Sequence, residues 1–289
     1  MNIQWFPGHM AKTMRLIKEN LKLVDVVIEL LDARIPISSK NPDIDELIQS
    51  KPRVVILNKA DLADEKANKE WISYYKSKNI PVLLFDSVHQ GNTNTVAELI
   101  KTAIEDKIEA LKAKGMINRS IKIMIVGIPN VGKSSFINRF VKKSVAIAGD
   151  RPGVTKGKQW IRIREGFEIL DTPGVLWPKF DDEKIGLNLA FIGSVKDEII
   201  DVETLAMHLL SILNKHYKDR LKERYKIETN DDMTGYDVLC AIAKRRGFLI
   251  SGGEFDTLRC ANVVLDEFRG AKLGKISLEV PQDLMQEEE

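Results

Sequence analysis

Cysteine is almost missing from this chain of 289 residues: Cys240 and Cys260 are the only two, and neither has a CxxC partner. That excludes a disulfide framework and a cysteine-based zinc site, and makes reduced thiols in a cytosolic protein the expectation. Long hydrophobic runs are missing too. The longest, LVDVVIELLDA, is broken by Asp25 and Glu29, too short and too charged to span a bilayer. The N-terminus lacks a basic region followed by an apolar core, so no secretory signal is expected. There is no internal repeat and no long low-complexity run. Net charge is only +2, but it is unevenly spread. Residues 181–289 hold 15 Lys/Arg against 22 Asp/Glu, whereas the residues before them hold 29 against 20. A basic front and an acidic back fit an anionic partner touching selected faces; two solvated surfaces of opposite sign explain the charge equally well.

What is present is a globular composition, 44% hydrophobic and 30% charged, long enough for two domains. Short apolar runs at 25–32, 53–58, 81–86 and 121–127 alternate with helical periodicity at 9–22, 63–78, 93–114 and 132–142. Continuous apolar strands alternating with helices predict an α/β fold, a mostly parallel sheet with helices on both faces. QWIRIR and FEILD, 159–164 and 167–171, read as an antiparallel hairpin. From about residue 179 helical periodicity takes over, at 183–192, 201–214, 216–226, 234–246 and 254–270. The expected organisation is an α/β domain over 1–178 and a small all-α domain over 179–289. VPQDLMQEEE reads as a frayed acidic tail.

GIPNVGKSS, Gly127–Ser135, follows a strand and precedes a helix. Its glycines let the backbone wrap phosphate oxygens, and N–H groups from Asn130, Val131, Gly132, Lys133, Ser134 and Ser135 face the anion. Lys133 can reach the β- and γ-phosphates, and the Ser134 hydroxyl can ligate Mg²⁺. DTPG, Asp171–Gly174, ends a strand: Asp171 can hold the Mg²⁺ shell through water, and the Gly174 N–H can approach the γ-phosphate. Thr155, between the phosphate-loop helix and the hairpin, is placed to reach Mg²⁺ and the γ-phosphate. NKAD, Asn58–Asp61, also ends a strand. Asp61 can accept from both N1–H and N2–H₂ of guanine, which adenine cannot supply. Asn58 would bond the base or brace neighbouring loops, the Lys59 stem would cover the ring, and Asp86 and Ser87 would close over it. Taken singly, DTPG, NKAD and the threonine loop are ordinary turns; together they specify a guanine-nucleotide site.

The order of these motifs is unusual. In most GTPases the phosphate loop comes first and NKxD late; here NKAD and the Ser87 loop precede the phosphate loop. With WFPGHMAKT, Trp5–Thr13, at the start, the set NKAD, GIPNVGKSS, GVTKG and DTPG closely resembles the circularly permuted GTPases of the ribosome biogenesis GTPase A (YlqF/RbgA) family, over the whole chain. The resemblance implies GTP hydrolysis, and late assembly of the large ribosomal subunit with binding to ribosomal RNA. A soluble cytoplasmic monomer is expected. An oxygen ligand at Asn130 is what potassium-stimulated GTPases use, so K⁺ is a candidate beside Mg²⁺.

Two consequences follow from permutation. The chain after DTPG runs through 175–180 into the helical region, whose KHYKDRLKERYK (215–226) and KRRG (244–247) could contact phosphates, with Tyr217 and Tyr225 stacking on bases. And the residue after DTPG is Val175, which cannot orient water. Restoring the usual order puts helix 9–22 where the second switch helix belongs, so His9 at its first turn becomes the in-chain candidate for orienting water. Against this, Gly8-His9 could simply begin the helix. A GTPase of another RNA process, or a nucleotide-gated binding module with negligible turnover, would carry the same phosphate motifs.

Overall fold

A computed structural model describes residues 15–48, 51–89, 91–116, 119–142, 160–163, 166–170, 182–195 and 201–285. The described residues up to 170, together with those from Glu279, form one compact unit; those from 182 to 278 form a second.

The first unit is built on a six-stranded sheet of order β3-β2-β1-β4-β6-β5. Its strands are β1 (Val26–Asp32), β2 (Arg53–Asn58), β3 (Val82–Phe85), β4 (Ile121–Val126), β5 (Trp160–Ile163) and β6 (Phe167–Leu170). Every pairing is parallel except β5 with β6. Each of the seven residues of β1 is buried, as a central strand covered on both faces requires. From β1 the chain winds one way through β2 to β3, then crosses to β4 on the other side. That reversal between β1 and β4 is where open α/β sheets bind ligands, outside the carboxyl ends of the strands.

The helices of this unit are α1 (residues 15–21), α2 (Pro42–Ile48), α3 (Glu65–Ser77), α4 (Thr93–Ala103), α5 (Glu105–Ala113) and α6 (Lys133–Lys142). On one sheet face, Ile17 and Leu21 of α1 and Ile44 and Ile48 of α2 pack on Val27, Met124 and Leu170. Further along the same face, Trp71 and Tyr75 of α3 pack on Leu31, Val55 and Leu57. Two helices differ from the sequence reading. The periodicity over 93–114 belongs to two helices that break at Ile104, a buried residue with φ −126° and ψ 25°, so the apolar spacing carries across the break. Helix α2 lies outside the helical segments that periodicity predicts, although Pro42 at its first position and Asp43 and Asp45 in its first turn are start signals.

Glu29 sits between the two apolar clusters, 2% exposed, 3.3 Å from Arg53, with Oε1 lacking any hydrogen-bond partner. Burial pushes its carboxyl up to about 7 against the pull of Arg53. The folded chain therefore holds a proton that the unfolded chain releases near the ordinary value of 4.5. Stability falls as pH rises from about 4.5 to about 7, and this term is constant above that. Glu29→Gln mimics the neutral acid. Its advantage over wild type in urea unfolding should be greater at pH 8 than at pH 5 by about 2 to 3 kcal/mol; a pH-independent difference contradicts this assignment.

The second unit contains α7 (Glu183–Phe191), α8 (Val202–His216), α9 (Lys218–Tyr225), α10 (Gly235–Arg246) and α11 (Thr257–Arg269). Helix α8 buries Leu205, Leu209, Leu210 and Leu213, and packs against α10 and α11. A Cβ at Gly235 would stand 1.9 Å from the Met207 carbonyl, so only glycine lets α10 approach this closely. Cys260 is buried, and burial pushes its thiol up to about 12, which suits a packing role.

The carboxyl-terminal stretch corrects the frayed-tail expectation over its described part. Glu279 is buried and its carboxylate accepts from the Ile37 N–H at 2.6 Å, the Ser38 N–H at 3.1 Å and the Ser38 hydroxyl. The Trp71 indole donates to the Glu279 carbonyl at 3.1 Å. Pro281–Met285 form a 3-10 turn, with Leu284 against the α3 cluster. Residues from Glu279 thus belong with the sheet, not with the helical domain read over 179–289. An acidic composition hid one carboxylate matched to converging backbone donors.

Candidate nucleotide site

Three loops among the described residues meet at the carboxyl edge of the sheet. The first follows β4. Gly127 starts it, and a Cβ there would lie 2.6 Å from the Leu30 carbonyl of β1. Asn130 and Gly132 take positive φ, 57° and 98°. Val131 is fully buried, while Ser134 and Ser135 on the first turn of α6 are exposed. The Lys133 ammonium donates to the Gly127 carbonyl at 3.0 Å and the Ile128 carbonyl at 2.8 Å, so it lies over the loop rather than out in solvent. A curled loop opening a helix directs backbone N–H groups at an anion, and the lysine adds a full charge.

The second loop follows β2. Asn58 is 1% exposed and braces two neighbouring loops. Its Nδ2 donates to the Val131 carbonyl at 2.8 Å and its Oδ1 accepts from the Ser87 hydroxyl at 2.7 Å. Lys59, at φ 58°, donates from Nζ to the Asn130 carbonyl at 2.7 Å. Two adjacent side chains thus tie the NKAD loop to the phosphate loop across 71 to 73 residues of sequence. Asp61 stays partly exposed. Burial and the neighbouring Asp86 push its carboxyl up; His89 and Arg34 pull it back.

The third loop follows β3. Asp86 Oδ1 accepts from the Val88 and His89 N–H groups at 2.8 and 2.9 Å. With the Ser87 hydroxyl given to Asn58, both side chains shape the loop that is expected to close over a guanine. Arg139 of α6 holds the same loop from the phosphate side. Its guanidinium donates to the carbonyls of Val88 at 3.1 Å, His89 at 2.7 Å and Gly91 at 3.4 Å. Asp61, Asp86 and His89 lie close enough to share a cation, and Asp86 and His89 are held together by the hydrogen bond within their own loop.

Asp171 and Gly174 lie outside the described residues, as do Thr155 and His9. The structure therefore brings together Asn58, Lys59, Asp61, Asp86, Ser87 and Asn130–Ser135. Sequence reading missed Asp32 and Arg34, which end β1 beside this site, and Arg139. Charged residues closing a buried, mostly apolar strand are the visible signal for the first two; Arg139 has none, because nothing in a helix sequence shows which loop carbonyls it will meet.

The helical unit's basic segments correct another expectation. Tyr225 is 2% exposed, so its ring is not free to stack on a base, and the Tyr217 hydroxyl exchanges hydrogen bonds with Ser277. Arg224 pairs with Glu267, Lys222 with Glu228 and Lys218 with Asp231. Lys244 and Arg245 remain exposed. Among the described residues no helix is long and apolar enough to cross a membrane.

The family model described as "50S ribosome-binding GTPase" matches residues 122–242. The match takes in the phosphate loop but not NKAD, as the permuted order requires. Ribosome biogenesis GTPase A of Bacillus cereus is 48% identical over 284 residues, 98% of this chain and 95% of that one. The GDP-bound structure of YlqF superposes with a TM-score of 0.69 at 27% identity, covering 93% of this chain and all of that one. GNP-bound YlqF from Thermotoga maritima gives 0.65 at 27% identity, over 94% and 99%. Near-complete coverage in both directions fits one architecture, a permuted sheet followed by helices. The chain is a GTP-binding P-loop GTPase and belongs to the ribosome biogenesis GTPase A family.

Proposed function

We propose that this GTPase acts in late maturation of the large (50S) ribosomal subunit, binding the subunit or its precursor through ribosomal RNA in a nucleotide-dependent way. The observation that carries this reading is the bonded junction of NKAD with the phosphate loop, Asn58 to Val131 and Lys59 to Asn130, on a chain aligned almost end to end with a ribosome biogenesis GTPase. The protein would act in the cytoplasm as a monomer. Lys244 and Arg245 are the basic pair best presented to RNA phosphates. Co-sedimentation with separated 30S, 50S and immature subunits tests the reading. Retention on large subunits with a non-hydrolysable GTP analogue, and release with GDP, is expected; equal binding to 30S contradicts it.

In this reading Asp61 accepts from guanine N1–H and N2–H₂ while the Lys59 stem covers the ring. The phosphates lie against the Asn130–Ser135 backbone, with Lys133 at the β- and γ-phosphates. Ser134 presents an exposed hydroxyl beside Lys133, a hard oxygen donor of the kind Mg²⁺ takes. Ser134 and Thr155 would hold the ion, with Asp171 joining through water; bound there, it neutralises charge on the phosphate oxygens. The Gly174 N–H would meet the γ-phosphate. K⁺ is proposed beside Asn130, so turnover in KCl should exceed that in NaCl.

His9 is proposed to orient the attacking water. Residues 15–21 of the same predicted helix pack on β4 and β6, the strands that lead into the phosphate loop and DTPG. Near-normal turnover by His9→Ala on large subunits, with binding intact, would remove histidine from the mechanism.

A further inference from the structure

Asp32 and Arg34, at the end of β1, form a buried ion pair exposed by 0% and 2%. The contact is bidentate. Arg34 Nε donates to Asp32 Oδ1 at 2.9 Å and Nη2 to Oδ2 at 2.8 Å, and the Arg34 backbone N–H also reaches Oδ1 at 3.1 Å. A third charge joins them: Lys59 Nζ stands 3.1 Å from Asp32 Oδ2 while donating to the Asn130 carbonyl. The backbone locks the same corner, with the Ala33 N–H on the Asn58 carbonyl at 2.9 Å and the Asp32 N–H on the Ser39 hydroxyl at 3.0 Å.

Burying an ion pair is a poor way to gain stability, because removing both charges from water offsets most of their attraction. A sheet end that needed only stability would do as well with apolar side chains. What this pair does that apolar residues cannot is hold a lysine. Asp32 answers two cations at once, so the triad carries a net charge of +1 next to the Asp61 carboxylate. The lysine also starts from a left-handed backbone, φ 58°, where its side chain needs a fixed anchor to be directed across the loop. Burial works against ionising Asp32, but Arg34 and Lys59 outweigh it and hold the carboxyl well below the usual carboxylate range. Asp32 is thus ionised at neutral pH.

We infer that Asp32, itself fixed by Arg34, is a positioning residue for guanine: it anchors the Lys59 ammonium so that the lysine stem and the adjacent Asp61 are set for the base before nucleotide arrives. The inference rests on the reading of Asn58–Asp61 as the base loop. It assigns Asp32 no contact with nucleotide; its effect passes through Lys59.

A double-mutant cycle measures this. Asp32→Asn keeps the shape and removes the charge, and should weaken GDP about tenfold by calorimetry. GTP KM should rise by the same factor while kcat falls less than twofold, since the base is remote from the reacting phosphate. In a Lys59→Met background, Asp32→Asn should cost no further affinity. If Asp32→Asn weakens GDP equally in both backgrounds, or not at all with Lys59 present, the inference is wrong. If Lys59→Met alone leaves GDP binding unchanged, the base-loop reading itself fails, a separable result. Should Asp32→Asn not fold because Arg34 is left buried and unpaired, Asp32→Asn with Arg34→Gln removes both charges and enters the same cycle.

Discussion

Asp61→Asn should lower affinity for GDP by about a thousandfold and turn the site toward xanthine nucleotides. The carboxylate offers two acceptors to two donors on the guanine edge, a charge-assisted pair. An amide keeps one acceptor but sets its N–H₂ against a guanine donor, so a bond is lost and a partly buried donor is left unmade. Together these cost about 4 kcal/mol, or three decades of binding. Xanthine carries a carbonyl where guanine carries the amine, and the asparagine N–H₂ meets it. Competition between GDP and XDP reads the change. GDP bound as well by the variant as by wild type would place the base elsewhere. The fold should be untouched, because Asp61 is partly exposed and braces neither neighbouring loop; Asn58 and Lys59 do that.

Gly132→Ala should abolish GTP turnover, by at least about a hundredfold, with the sheet still folded. Two effects act together. Gly132 has φ 98°, a conformation that L side chains rarely take. The added Cβ would also sit 2.4 Å from Asn58 Nδ2, the atom that holds the Val131 carbonyl. The loop must then either turn its N–H groups off the phosphates or lose its tie to NKAD. Serine in its place should be as damaging; a partial rescue by Asn58→Ala, which vacates the space, would identify the clash as the larger part. Wild-type turnover in Gly132→Ala would mean that the loop does not need this conformation.

Much of this architecture was legible in the chain because its signals are local. Apolar β1, β2 and β4 followed by motif-bearing loops gave the parallel sheet, and Gly127–Ser135 gave the phosphate loop by spacing alone. The permuted order was visible because NKAD and the phosphate loop each declare themselves independently. What could not be read depends on the third dimension. Asn58 as a brace needed the Val131 carbonyl and the Ser87 hydroxyl brought to either side of it. Glu279 looked like one more acid near an acidic end, until the Ile37 and Ser38 donors were placed around it. Tyr225 looked available for stacking because a basic-aromatic string does not reveal which face of α9 is buried. Arg34 belongs to none of the nucleotide motifs, and only its bidentate geometry shows that it fixes a carboxylate used elsewhere.

The central claim is that GTP hydrolysis by this chain is tied to the large ribosomal subunit. Single-turnover hydrolysis of GTP, measured alone, with saturating 50S subunits and with saturating 30S subunits, tests it most directly. The account predicts acceleration of at least about tenfold by 50S and none by 30S, as a group set in place by the partner would give. An unchanged rate with 50S, or equal acceleration by both subunits, would contradict it.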